Sequence, residues 1–241
     1  MFTLKNEPQN SHQILEQGFS LYKHAFASSL PYSLCAAFLM IAPYTLSTLY
    51  ASNKIVLWGI LIAWLAGFTL LSGLIFRLYC ICYNVTCHFT GSLTHAMFKL
   101  IPLLLLTALY CLIVLSGTMM FIIPGIIFAI SLMFSFILVI TDNQNVFQTL
   151  TLSHRLVWGQ WWHVASVICI PLLLNIIFSL TLLLGFILVS TKLSLKIPDL
   201  TLGAMLINIT VQSLFIPLIF SMVLVLLHDL RRRAFLKLPR W

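Results

Sequence analysis

The stretch SHRLVWGQWWH, Ser153 to His163, holds the side chains of this chain best equipped for chemistry: His154, Arg155, Trp158, Trp161, Trp162 and His163. Guanidinium and imidazole groups donate to phosphate oxygens, and indoles settle where hydrocarbon meets lipid headgroups. Two readings follow. In the first, the stretch is an interfacial elbow, with His154 and Arg155 facing headgroups and Gly159 allowing the bend. In the second, the same residues bind the headgroup of a phospholipid or another anionic ligand. The elbow is the expectation.

Other residues of chemical interest are few. Cys80, Cys82, Cys87 and His88 in CICYNVTCH supply thiolate and imidazole, the ligand types of zinc or copper(I). Their spacing is not that of a standard finger, and Cys80 and Cys82 diverge by about 200° on a regular helix. Ordinary free thiols and no metal are therefore expected. Asn175, Asn208 and Gln212 fall within long apolar runs, where amides either bond between helices or line a substrate path. Interhelical bonding is the expectation. No Asp, Glu, Lys or Arg lies deep in such a run, which weighs against a proton- or ion-coupled pump. HExxH and GxSxG are absent, and the acids outside the N-terminal segment are Asp142, Asp199 and Asp229. They are too scattered to read as a magnesium-holding cluster, and no cofactor is expected.

These residues sit in a chain that is 61% hydrophobic and 7% charged, with mean hydropathy +1.07. Soluble proteins carry roughly a quarter charged residues, so this sequence reads as an integral membrane protein. Runs long enough to cross a bilayer, about 20 residues each, cover approximately 29–50, 55–77, 100–123, 125–141, 164–190 and 201–228. The fold class expected is all-α, with six transmembrane helices plus amphipathic interfacial helices. The boundaries expected are 1–28 for a cytoplasmic N-terminal segment, 29–228 for the membrane domain and 229–241 for a basic cytoplasmic tail. No cleavable signal peptide is expected, because the first long apolar run begins only near Leu30.

Basic residues set orientation. With the N-terminus inside, Lys5, Lys23, Arg77, Lys99, Arg155, Arg231, Arg232, Arg233, Lys237 and Arg240 are cytoplasmic, leaving only Lys54, Lys192 and Lys196 opposite. Both termini are therefore expected in the cytoplasm. The net charge of +8 points to anionic lipid as a contact, not nucleic acid.

Three segments carry amphipathic patterns ahead of a hairpin of spans. Leu15, Phe19, Tyr22 and Phe26 form an apolar stripe in the first; Ser92 to Leu100 is the second. In the third, Gln144, Gln148, Thr151 and Arg155 oppose Val146, Leu150 and Val157. The pattern suggests three similar units with uneven spacing. Pro124 in FIIPG is expected to end one helix and start the next, placing this turn on the face opposite the elbow.

The run IPGIIFAISLMFSFILVITDNQNVFQTLTLSHRLVWGQWWHV resembles the corresponding part of the enterobacterial YciC-type inner-membrane proteins. The matching positions are Pro124, Gly125, Ile126, Ile127, Asp142, Val146, Phe147, Ser153, Arg155, Leu156 and Trp158. It is also similar to membrane domains attached to some bacterial glycerophosphodiester phosphodiesterases, although this chain has no phosphodiesterase domain. The resemblance implies a bacterial inner-membrane protein and supplies no catalytic residues.

The function expected is non-enzymatic: a scaffold or accessory factor in envelope or lipid homeostasis, touching phospholipid and a membrane-protein partner. A transporter or flippase is the first alternative and predicts a cavity reaching Asn175, Asn208 and Gln212. A membrane enzyme is the second and predicts convergence of Asp142, His154 and Arg155 at a cleft.

Overall fold

A computed structural model describes residues 4, 8–49, 54–142, 144–192 and 197–237. All secondary structure among them is helical: α1 (Ser11–Leu49), α2 (Lys54–Cys82), α3 (Phe89–Phe98), α4 (Leu100–Met120), α5 (Ile122–Leu132), α6 (Ser135–Thr141), α7 (Val146–Val157), α8 (Trp161–Lys192) and α9 (Ile197–Lys237). Six stretches are long and apolar enough to cross a membrane, with α5 and α6 acting together as one of them. The chain is a multi-pass, all-α membrane protein.

Two long helices form the spine. At 1.5 Å per residue, the 39 residues of α1 and 41 of α9 run about 58 and 62 Å, well beyond a hydrocarbon core of about 30 Å. The first segment is thus not a separate interfacial helix: α1 continues without a break from Ser11 through the first span. The basic segment after position 228 continues α9, which persists to Lys237 and buries Asp229 and Leu230.

The two helices approach through small residues, as membrane helices do. A Cβ on Gly18 would lie 2.8 Å from Met222 Cγ and 3.0 Å from its Cα. Gly18 is followed by the buried Leu21, Ala25 and Ser29, which, with Ile14, form the inward stripe of α1. The aromatic stripe read from the sequence lies to its side. Phe19 is 45% exposed, and Phe19, Tyr22 and Phe26 run as a ring ladder with centroids 6.1 and 5.4 Å apart. Bulky rings cannot enter the close α1 and α9 contact, so they face outward.

The core joins Leu21, Tyr32, Leu74, Leu78, Leu106, Phe134, Ile137 and Leu226, all fully buried. The short helix α3 turns back onto it: the Tyr32 hydroxyl bonds Ser92 and the Phe89 carbonyl. His95 Nε2 lies 2.9 Å from the Ile140 carbonyl, with its ring 4.1 Å from that of Phe76.

The α4 to α5 turn is as tight as FIIPG implies. Phe121 is extended (φ −161°, ψ 153°), and α5 restarts at Ile122 with Pro124 in its first turn. α7 has the amphipathic form read from sequence, burying Val146, Leu150 and Val157 while exposing Gln148, Thr151 and Arg155. It packs against α5 and α6, and Ser153 Oγ donates to the Ser131 carbonyl at 2.6 Å.

Candidate functional site

The polar residues gather where α1 begins, α8 begins and α9 approaches its end. Asp229, 3% exposed, is the hub. Its Oδ1 accepts from the Gln9 backbone N–H at 2.9 Å, and its Oδ2 accepts from Arg233 Nε at 2.7 Å. Arg233 also reaches across with Nη2 to the Gln9 carbonyl at 2.5 Å. His163 adds a third side: Nε2 is 3.6 Å from Asp229 Oδ2, and Nδ1 is 3.1 Å from Ser11 Oγ. The Gln9 amide N–H continues the network to Gln17 Oε1 at 2.9 Å. A buried carboxylate survives desolvation only when paired and hydrogen-bonded, and these contacts supply both.

Two residues along α9 from Asp229, on another face of the helix, Arg231 Nη2 meets Asp142 Oδ2 at 2.5 Å, while Thr141 Oγ1 donates to Asp142 Oδ1 at 2.9 Å. Together the two arginine–carboxylate pairs fasten the α1 entry and the α6 to α7 bend to one end of α9.

The elbow itself is built as its sequence suggests. α7 opens with a capping box, Asn145 with Gln148, and closes with the Trp158 N–H bonded to the His154 carbonyl at 2.9 Å. Gly159 then takes φ +87°, a conformation costly for any side chain with a Cβ, so α8 can restart at Trp161.

The six residues singled out there do not converge on one point. His154 and Arg155 line an apolar cavity of about 340 Å³ with Phe128 and Leu150. Trp158, Trp161 and Trp162 line a second, of about 670 Å³, against Ile123, Ile126 and Ile127. The α4 to α5 turn was expected on the opposite face from these tryptophans. It instead shares a cavity with them, because α7 runs back along α5 and carries its C-terminal end towards Ile126. Trp161, Trp162 and His163 line a third cavity of about 450 Å³ with Gly159, Gln160 and Arg233.

Several buried polar atoms around this end have no hydrogen-bond partner among the described residues: Gln9 Oε1, Gln160 Oε1, Trp161 Nε1, His163 Nε2 and His228 Nε2. Such atoms are rare in folded proteins and each requires an explanation. Gln9, Asp229 and Arg233 were missed as site residues. Their distance from position 163 along the chain left no local signal, although an Asp four residues ahead of an Arg at a helix end marks an intrahelical pair.

Elsewhere, Asn175 Nδ2 is 3.5 Å from Gln212 Oε1 across α8 and α9. Asn208 is exposed and lines a separate cavity of about 300 Å³ with Ser179 and Met205. Cys35, Cys80, Cys82, Cys87, Cys111 and Cys169 are free thiols. No group of three or more metal-ligating side chains occurs among the described residues. Comparison with protein-family models, curated proteins and solved structures gives no match.

Proposed function

We propose that this chain is a non-enzymatic accessory or scaffold protein of a bacterial inner membrane, acting in envelope or lipid homeostasis, in line with its resemblance to the YciC-type proteins. The observation that carries this reading is the segregation of its polar groups. The buried ionic network is confined to one end of the bundle, whereas the cavity of about 420 Å³ between α2, α4, α5, α6, α8 and α9 contains no ionisable side chain apart from Tyr110. Its two hydroxyls are already engaged: Ser72 donates to the Thr69 carbonyl at 2.8 Å and Tyr110 to the Ala129 carbonyl at 3.2 Å. That cavity reaches none of Asn175, Asn208 and Gln212, which weighs against a polar path through the interior. Enzymatic chemistry draws no support from Asp142, which is held by Arg231 while His154 and Arg155 line a different cavity.

Transport of a lipid or apolar solute is the second reading, favoured by the same cavity, whose volume falls within the range of about 300–1,000 Å³ typical of ligand pockets. Reconstitution into proteoliposomes carrying a fluorescent phospholipid separates the two. Scaffolding predicts that dithionite quenches the inner-leaflet probe no faster than in protein-free vesicles. Protein-dependent acceleration would overturn scaffolding in favour of the flippase.

A further inference from the structure

The cavities on either side of the Trp161 and Trp162 pair differ in chemistry and share three lining residues, Gly159, Trp161 and Trp162. One side is hydrocarbon-like, walled by Ile123, Ile126, Ile127 and Trp158. The other is polar, walled by Gln160, His163 and Arg233. The two indoles stand edge to face between them, 4.9 Å between centroids and 80° apart. We propose that this pair of cavities is one binding site for a glycerophospholipid, its headgroup in the polar lobe and part of an acyl chain in the apolar lobe.

The polar lobe also narrows the headgroup. Trp161 Nε1 is a donor only, and it is buried without a partner. Arg233 has five N–H donors, and its contacts to Asp229 and the Gln9 carbonyl occupy Nε and Nη2, leaving further donors for an anion. His163 Nε2 faces Asp229 Oδ2 at 3.6 Å and is left to that carboxylate, so the anion falls to Trp161 and Arg233. These donors suit phosphate oxygens. Asp229 already offsets the charge of Arg233, so a singly charged phosphodiester fits better than a doubly charged phosphomonoester. Gln160 Oε1, a buried acceptor without a partner, asks for a donor beside the phosphate. A neutral amide oxygen accepts from a hydroxyl or an ammonium, but an ammonium would stand as a second cation beside Arg233, which lines the same lobe, so a hydroxyl fits. The ligand class is therefore an anionic phosphodiester lipid with a hydroxylated headgroup, of which phosphatidylglycerol is the test compound.

This assignment rests on the reading of a lipid-contacting accessory protein and gives that contact a place. It also moves the site from where sequence put it: His154 and Arg155 belong to another cavity, while Gln160 and Arg233 join Trp158, Trp161, Trp162 and His163.

The experiment is native mass spectrometry of the full chain released from nanodiscs containing phosphatidylcholine, phosphatidylethanolamine and phosphatidylglycerol in equal parts. Wild type is expected to retain phosphatidylglycerol preferentially. Trp161→Phe keeps a ring and removes the indole N–H, and Gln160→Leu removes the acceptor; neither touches the Asp229 and Arg233 pair. Each is expected to lower that retention about fivefold, the effect of one lost hydrogen bond, while Arg155→Ala leaves it unchanged. Having two variants keeps the test valid if one fails to fold. Unselective retention by wild type, or retention unaltered in both variants, overturns the site. Displacement of the lipid by soluble glycerophosphoglycerol at equal concentration overturns the apolar lobe's part in it. The flipping assay stays separate: selective retention with accelerated flipping overturns the accessory reading and leaves the site, whereas neither retention nor flipping overturns the site alone.

Discussion

Asp229 is the residue on which the polar end depends. Its side chain is 2% exposed and that of Arg233 25%, so removing the carboxylate leaves a largely sequestered guanidinium without a counter-charge. Breaking a buried pair from one side costs about 3–5 kcal/mol, and the partial exposure of Arg233 places Asp229→Ala near the lower figure, about 3 kcal/mol. Thermal unfolding in detergent checks this: a clear drop in Tm is expected for Asp229→Ala and a smaller one for Asp229→Asn, which keeps an acceptor oxygen. An unchanged Tm in both would mean that the network does not stabilise the fold. His163 was legible as a residue of interest because of its type and its tryptophan neighbours. The identity of its carboxylate neighbour was not, since Asp229 lies 66 positions further along the chain (229 minus 163) and pairing at that range is set by tertiary packing. The orphaned indole N–H of Trp161 was equally invisible, because hydrogen-bond satisfaction is a property of surroundings and not of residue type.

At the scale of elements, the apolar runs made the six spans legible, and the 3.6-residue pattern of Val146, Leu150 and Val157 gave α7 its buried face. Helix ends were less legible where no breaker marks them. α1 passes from a polar half to an apolar half with its first proline only at Pro31, so nothing in the chain forces a bend at position 28. Conversely, α5 gives way to α6 at Met133 and Phe134 without a Gly or Pro. The packing face of α1 was not legible for a related reason: hydrophobicity marks Phe19 and Tyr22, but the close approach to α9 selects for smallness, as at Gly18. Gly18→Leu would drive a side chain into the Met222 backbone, 3.0 Å from the position of the new Cβ. Overpacking of this kind costs about 1–3 kcal/mol. Size-exclusion chromatography and Tm are expected to report a less stable, more heterogeneous protein, while Phe19→Leu on the outward ladder leaves both nearly unaltered. Equal loss in the two variants would place the aromatic stripe, not the glycine, at the stabilising contact.

At the scale of the whole molecule, the bond from the Gln9 N–H to Asp229 Oδ1 makes a topological statement without reference to a bilayer. The entry to α1 and the polar end of α9 lie together, as an even number of crossings requires. The distribution of the thirteen bases then suggests which side this is, because segments rich in Lys and Arg are retained in the cytoplasm. The side chains of Arg231 and Arg233 turn inward onto Asp142 and Asp229, so these charges lock the helices at that end. Single cysteines introduced at Asn10 and Ala234 in a cysteine-free background are therefore expected to resist an impermeant maleimide added to intact cells and to react in inverted vesicles. A fluorescent protein fused after Trp241 is expected to fold and emit, whereas alkaline phosphatase at the same position stays inactive. Labelling of both cysteines from outside would reverse the orientation while preserving the shared face. Labelling of the two from opposite sides would break the pairing of α1 with α9, and with it the placement of the polar end on which the proposed lipid site is built.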